Sequence, residues 1–309
     1  MKNSMLRYVG LSLCVVCSPL VMANMPGFDI WLGELQVKQG LLQVSELKPL
    51  THRTQYDNQP LFLPDGQRLL YTAAIEQDGI EQTDSFMLQL ADNSKQNLTA
   101  SAVSEYSPIL MPDGHGFSVI RAADEQQKLW RYPLQPLAQN AEPPTELLKH
   151  VNPVGYHAWV DTKRVLLFVL GEPHTLQLAD IVQQTSQVVD SDIGASLYKI
   201  PGSELMSYTA AIAASSSDEP IWQLKSFNPD TAEIKVLTQL PSSAYYYAWS
   251  ADGKAIAAQG SSVLQWDSKH PTDSWQVFAD VSEHCPQGVS RIALNAQNTK
   301  IALVCALSH

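Results

Sequence analysis

The chain has 309 residues and a formal net charge of −11, from 20 Lys and Arg against 31 Asp and Glu. An acidic balance of this size excludes nucleic acid and anionic lipid headgroups as charge-driven partners. Hydrophobic residues at 45% are enough to fill a sizeable core.

The first residues read as a secretion signal. Lys2 and Arg7 supply a short positive region, and Tyr8 to Met22 is a 15-residue apolar stretch, too short to span a bilayer comfortably. Val21-Met22-Ala23 fits cleavage after Ala23, giving a signal peptide over 1–23 and a single domain over 24–309. Neither Cys14 nor Cys17 follows the small residue of a lipoprotein signal. A periplasmic or secreted protein is expected, with no stable membrane insertion after cleavage. Losing Lys2 and Arg7 takes the net charge from −11 to −13.

After the signal, Phe28 to Leu35 and Leu41 to Leu50 read as two strands. Then one phrase repeats: QPLFLPDGQRLLY from Gln59, SPILMPDGHGFSV from Ser107 and YAWSADGKAIAA from Tyr247. Each is an apolar run, a turn and a second apolar run. Asp65-Gly66, Asp113-Gly114 and Asp252-Gly253 supply the positive φ that a tight hairpin needs. Weaker copies turn at Asp161-Thr162, Pro201-Gly202 and Gln297-Asn298. The second turn residues step by 48, 48, 40, 51 and 45, the length of a four-stranded propeller blade. A third strand follows most hairpins, as in Ser85 to Ala91, Lys128 to Leu134, His174 to Asp180, Pro220 to Ser226 and Ser262 to Asp267. Glu233 to Leu240 and Ser274 to Asp280 read as outer strands.

The sixth unit stops near Leu307 after two strands, and the two strands at the start of the domain supply its missing half. The expected fold is therefore all-β: a six-bladed β-propeller of four-stranded blades, closed by N-terminal strands that complete the last blade. Closure in one sheet hides two edges that an open stack would expose. Cys285 and Cys305 lie in the closing blade and form a candidate disulfide in an oxidising compartment.

This pattern resembles the Pro-Asp-type repeat of TolB-like periplasmic propellers. Leu50-Thr51 leads through Asp57 and Pro60 to Leu63-Pro64-Asp65-Gly66, and Leu98-Thr99 leads through Glu105 and Pro108 to Met111-Pro112-Asp113-Gly114. The resemblance spans about Phe28 to Leu307 and departs at the start, where only Asn24 to Gly27 precede the first strand. The small α/β domain of TolB and its inner-membrane contact are therefore not carried over. A contact through the propeller surface, like the one TolB makes with the peptidoglycan-associated lipoprotein, is what the resemblance implies.

Motifs of catalysis are few. No Gly-x-Ser-x-Gly occurs, and the eight histidines form no His-x-His, His-x-x-x-His or His-Glu-x-x-His. His52, His157 and His284 stand in loops that a ring would bring toward one face. Asp57, Glu105 and Asn152 stand where lactonase-like propellers hold a metal, but no motif singles them out. One Asp per hairpin turn cannot supply calcium's oxygens. The Asn97-Leu98-Thr99 sequon belongs to the recurring Leu-Thr element. No cofactor or metal is expected.

The loops entering successive inner strands converge on one end of the channel, so the candidate partner-binding face comprises His52, Arg53, Tyr56, Asp57, Glu105, Tyr106, Tyr156, His157, Tyr245 and Tyr246. Alternation puts Tyr245 and Tyr247 on one side of their strand and Tyr246 on the other. The leading functional reading is a non-enzymatic, monomeric interaction scaffold that docks an envelope protein. The alternatives are a small-ligand-binding or metal-dependent hydrolase using the channel, and a sugar or cell-wall binder using the exposed aromatics.

Overall fold

The structure is a computed structural model that describes residues 25–135, 143–212 and 220–308. The expected signal peptide lies outside the described residues. Among those residues every regular element is a strand, and the strands form six four-stranded antiparallel sheets. Blade 1 comprises Asp57–Phe62, Arg68–Gln77, Ile80–Gln89 and Lys95–Asn97. Blade 2 comprises Ser104–Leu110, Gly116–Ala123, Gln126–Pro133 and Thr145–Glu146. Blade 3 comprises Val154–Trp159, Arg164–Val169, Thr175–Asp180 and Thr185–Ser191, and blade 4 Ile193–Lys199, Met206–Ile212, Ile221–Phe227 and Ile234–Gln239. Blade 5 runs through Tyr247–Trp249, Lys254–Gln259, Ser262–Asp267 and Gln276–Asp280. Blade 6 takes Val289–Leu294 and Lys300–Ala306 from the end of the chain and Phe28–Lys38 and Leu41–Pro49 from its beginning. The architecture is the six-bladed propeller, with the closure, that the repeat predicts.

Six apolar clusters occupy the six interfaces between neighbouring blades, the last with the first included. Strand alternation explains how one strand serves two interfaces. Leu166 and Phe168 pack toward blade 4, while Val165 and Leu167, on the other side of the same strand, pack toward blade 2. Ala302 and Val304 face blade 1, and Ile301 and Leu303 face blade 5. The second strands therefore read as unbroken apolar runs, buried on both faces. The outer strands cover one face only, and they carry exposed side chains such as Val188, Val236 and Val277.

Ring closure is a strand pairing. Phe28–Lys38 runs antiparallel to Lys300–Ala306, in continuous register from Phe28 opposite Ala306 to Glu34 opposite Lys300. Lys300 Nζ donates to Glu34 Oε1 at 2.6 Å across the seam. Cys285 and Cys305 are disulfide-bonded, with Cα atoms 5.0 Å apart, and both are buried. The bond joins the approach to the inner strand of blade 6 to the strand beside it. It ties the C-terminal hairpin to itself, while the seam between the chain ends rests on the ladder and on the apolar cluster around Ile30 and Val304.

The recurring motifs have local physical causes. Asp65 Oδ1 accepts from the backbone N–H groups of Gln67 and Arg68, and Asp65 Oδ2 accepts from Arg68 Nε at 2.6 Å. Asp161 makes the same three contacts with Lys163 and Arg164, so the Asp-Thr turn replaces Asp-Gly without loss of the side-chain lock. The Leu-Thr element ends the outer strands of blades 6 and 1 at a buried hydroxyl. Thr51 Oγ1 accepts from the Ile30 amide and donates to Asp29, and Thr99 Oγ1 accepts from the Ser85 amide and donates to Asp84. This fixes where the chain leaves a blade and enters the next inner strand. Asn97 donates to Asp84 Oδ2, so the sequon's amide belongs to the same junction.

Candidate functional site

The inner strands of blades 2 and 3 and the segments just before those of blades 1 and 5 bring Tyr106, Tyr156, Tyr56 and Tyr246 to one end of the channel. Tyr56 lies edge-on to Phe28, with ring centres 5.8 Å apart. The Tyr106 hydroxyl donates to Gln127 at 2.7 Å, and its ring meets Tyr156 edge-on. Burial pushes the Tyr56 hydroxyl up to about 12, against the pull of the nearby Arg291 charge. Tyr106 and Tyr246 are raised for the same first reason, so these phenols are neutral hydrogen-bonding groups at any physiological pH.

Arg291, from the inner strand of blade 6, occupies the middle of this group. Its guanidinium stacks on the Tyr246 ring at 3.7 Å from the centroid and lies 5.0 Å from that of Tyr156. Its Nη2 donates to the Tyr156 hydroxyl at 2.8 Å. Arg291 sits deep in the molecule yet keeps part of its surface open to the channel. No carboxylate among the described residues lies within ion-pair distance of it. Sequence reasoning passed over Arg291. The available signal was a charged residue in the third position of an otherwise small and apolar inner strand, VSRIAL.

Two cavities adjoin this centre. The outer one, about 440 Å³, is lined by Tyr56, Gln59, Tyr106, Tyr156, Phe168 and Leu170, among others. The inner one, about 80 Å³, reaches Ser107, His157, Ser196, Tyr198 and Arg291. Gln59 and Tyr156 line both. Gln59 and Ser107, each directly before a proline, hold φ near +56° where the inner strands of blades 1 and 2 bulge. A residue before proline ordinarily avoids that region. The Gln59 side chain compensates by accepting from the Thr72 hydroxyl and the Ser107 amide, which locks the two bulges together beside the cavity.

The other expected face residues divide by the side of the strand they occupy. Arg53 and Asp57 satisfy each other through two hydrogen bonds of 2.9 and 2.5 Å, and Asp57 is fully buried. Glu105 is also fully buried in the wall of blade 2, where Oε1 accepts from Ser101 at 2.7 Å and Tyr132 at 2.8 Å. Desolvation pushes its carboxyl up to about 7. His157 Nε2 lies 2.6 Å from Ser118 Oγ, and Trp159 Nε1 donates to the same hydroxyl oxygen. Tyr247 and Trp249 meet Ser207 in the same way, so His157-Ala158-Trp159 and Tyr247-Ala248-Trp249 are one inter-blade lock used twice. Burial holds His157 near a pKa of 3, and it is neutral at pH 7. The Tyr245 hydroxyl accepts from the Ala195 amide, so Tyr245 and Tyr247 both engage blade 4, while Tyr246 faces Arg291. His52 is exposed, 3.9 Å from Asp29.

The groups considered for a metal do not converge. Asp57 is held by Arg53, Glu105 by Ser101 and Tyr132, and Asn152 Oδ1 accepts from the Gln127 amide. His284 packs edge-on against Trp31. Among the described residues no group of three His, Cys, Asp or Glu side chains is placed to hold an ion.

No protein-family model matches the sequence, and no curated protein matches it. Similarity appears in three dimensions. A putative TolB from Agrobacterium tumefaciens superposes with a TM-score of 0.66 at 12% identity, covering 93% of this chain and 100% of that one. TolB from Acinetobacter baumannii gives 0.53 at 11%, covering 91% of this chain and 64% of that one. An oligogalacturonate lyase in complex with manganese gives 0.55 at 15%, covering 87% and 83%. At such identities the likeness is one of fold, and the fold of this chain is the TolB-like six-bladed propeller.

Proposed function

We propose that this chain is an exported docking propeller whose tyrosine-ringed channel mouth binds a segment of another envelope protein. The observation that carries the reading is the outer cavity of about 440 Å³, walled by Tyr56, Tyr106 and Tyr156 with Phe168 and Leu170 behind them. Half-buried aromatics on a rigid frame make contact area at little entropic cost, and their hydroxyls give direction. The signal-like leader, the acidic balance and the likeness to TolB propellers support the envelope setting. The test is in vivo crosslinking and capture from the native envelope, comparing wild type with a Tyr56→Ala/Tyr106→Ala protein of unchanged melting temperature. Loss of one specific adduct supports docking at the mouth, and an adduct that survives the double change places docking elsewhere.

A second reading, a small-ligand site in the channel, is favoured by the inner cavity of about 80 Å³ and by the likeness to an oligogalacturonate lyase. It predicts saturable binding of a small molecule with no protein partner.

A further inference from the structure

Arg291 makes one hydrogen bond, to the Tyr156 hydroxyl, among the described residues. A guanidinium carries five N–H donors and stays charged in proteins. Nε and Nη1 have no acceptor among those residues, and the inner cavity, which shares Tyr156 with the outer one, is lined by this group. Neither cavity is lined by a second Lys or Arg. Two hydroxyls on residues lining the inner cavity, Ser107 Oγ and Ser196 Oγ, are buried and without a hydrogen-bond partner. Buried polar groups are ordinarily paired, and two unpaired hydroxyls in one cavity with an arginine that has no carboxylate partner are the donors an anion takes.

The chemistry of the anion follows from the shape. The face of the guanidinium stacks on Tyr246, which leaves its edge to the ligand. That edge matches a carboxylate with two parallel N–H···O bonds. One cation balances one negative charge, so a phosphate dianion would bring an uncompensated charge into a desolvated space. The inner cavity, about 80 Å³, suits a small planar group.

We propose that Arg291, with the hydroxyls of Ser107 and Ser196, forms a carboxylate-binding subsite at the floor of the tyrosine mouth. The acid end of a peptide and a free sugar or organic acid share this chemistry. The inference stands without the docking reading, because a small acid alone is enough to fill the subsite.

The test is NMR titration of the arginine Nε–H signals of the folded protein with sodium acetate, against acetamide and sodium chloride at matched ionic strength. A saturable shift of the Arg291 signal with acetate, absent with the other two, is expected. Arg291→Gln should weaken the acetate-dependent shift in other resonances of the site by roughly tenfold to a hundredfold, the loss for one charge-assisted bond. Arg291→Lys, which keeps the charge, should retain part of the affinity, and its melting temperature controls for folding. N-acetylglycine binding more tightly than glucuronate assigns the site to a peptide acid, and the reverse assigns it to a sugar acid. No saturable shift with any carboxylate, or an equal response to chloride, overturns the proposal.

Discussion

Replacing Glu105 with Gln should reverse its effect on stability between acid and alkaline pH. The carboxyl is fully buried, and desolvation raises it from an ordinary 4.5 to about 7 despite hydrogen bonds from Ser101 and Tyr132 and Arg121 3.6 Å away. Below pH 4.5 the folded and unfolded chains both hold the proton, and nothing is lost. Between 4.5 and 7 the unfolded chain releases it while the folded chain keeps it, so stability falls as pH rises. Above 7 the full difference applies, roughly 3 kcal/mol at about 1.4 kcal/mol per pH unit. Gln keeps the acceptor for Ser101 and Tyr132 and never ionises. Its amide NH₂ takes the place of Oε2, which has no partner, at a pH-independent cost of about 1 kcal/mol. Urea unfolding of both proteins should therefore show Glu105→Gln less stable by about 1 kcal/mol at pH 4 and more stable by about 2 kcal/mol at pH 8.5. A difference between the two proteins that does not change with pH would refute the argument.

Other outcomes follow from the closing blade and its interfaces. Replacing both Cys285 and Cys305 with Ser opens a loop of 20 residues and should cost about 3 kcal/mol, seen as a fall in melting temperature on the order of 5 °C. Ile30→Ala, at a fully buried position in the seam between blades 6 and 1, should cost about 2–5 kcal/mol by calorimetry. Val37→Ala, on the same strand but 57% exposed, should stay within about 0.5 kcal/mol, and equal effects would mean that the seam does not carry the closure. Gly114→Ala meets no atom within 4 Å but must hold φ near +71°, so its cost of about 1 kcal/mol isolates the backbone requirement of the Asp-Gly turn.

The fold was legible because each blade repeats a local instruction. Alternating apolar residues feed two interfaces throughout, an Asp side chain accepts from turn amides in blades 1, 2 and 3, and a Thr hydroxyl ends the outer strands of blades 6 and 1. The degenerate third unit remained readable because Asp161 makes the same contacts as Asp65 even with Thr in place of Gly. The site was legible only in part. Neighbours along an inner strand point to opposite sides, so Tyr106 reaches the mouth while Glu105 is buried in the wall, and Tyr156 reaches Arg291 while His157 turns to Ser118. Loop position alone does not choose the side. Arg291 meets Tyr156 across 135 residues of sequence, a pairing that exists only once the ring has closed.

Docking at the tyrosine mouth is tested most directly by a photo-crosslinking residue placed at Tyr106 and, separately, at Val236 on the exposed outer strand of blade 4. In cells exporting the protein, the account predicts one discrete protein adduct from position 106, lost when Tyr56→Ala is added, and none from position 236. Adducts from position 236 alone, or none from position 106 in any growth condition, would contradict it.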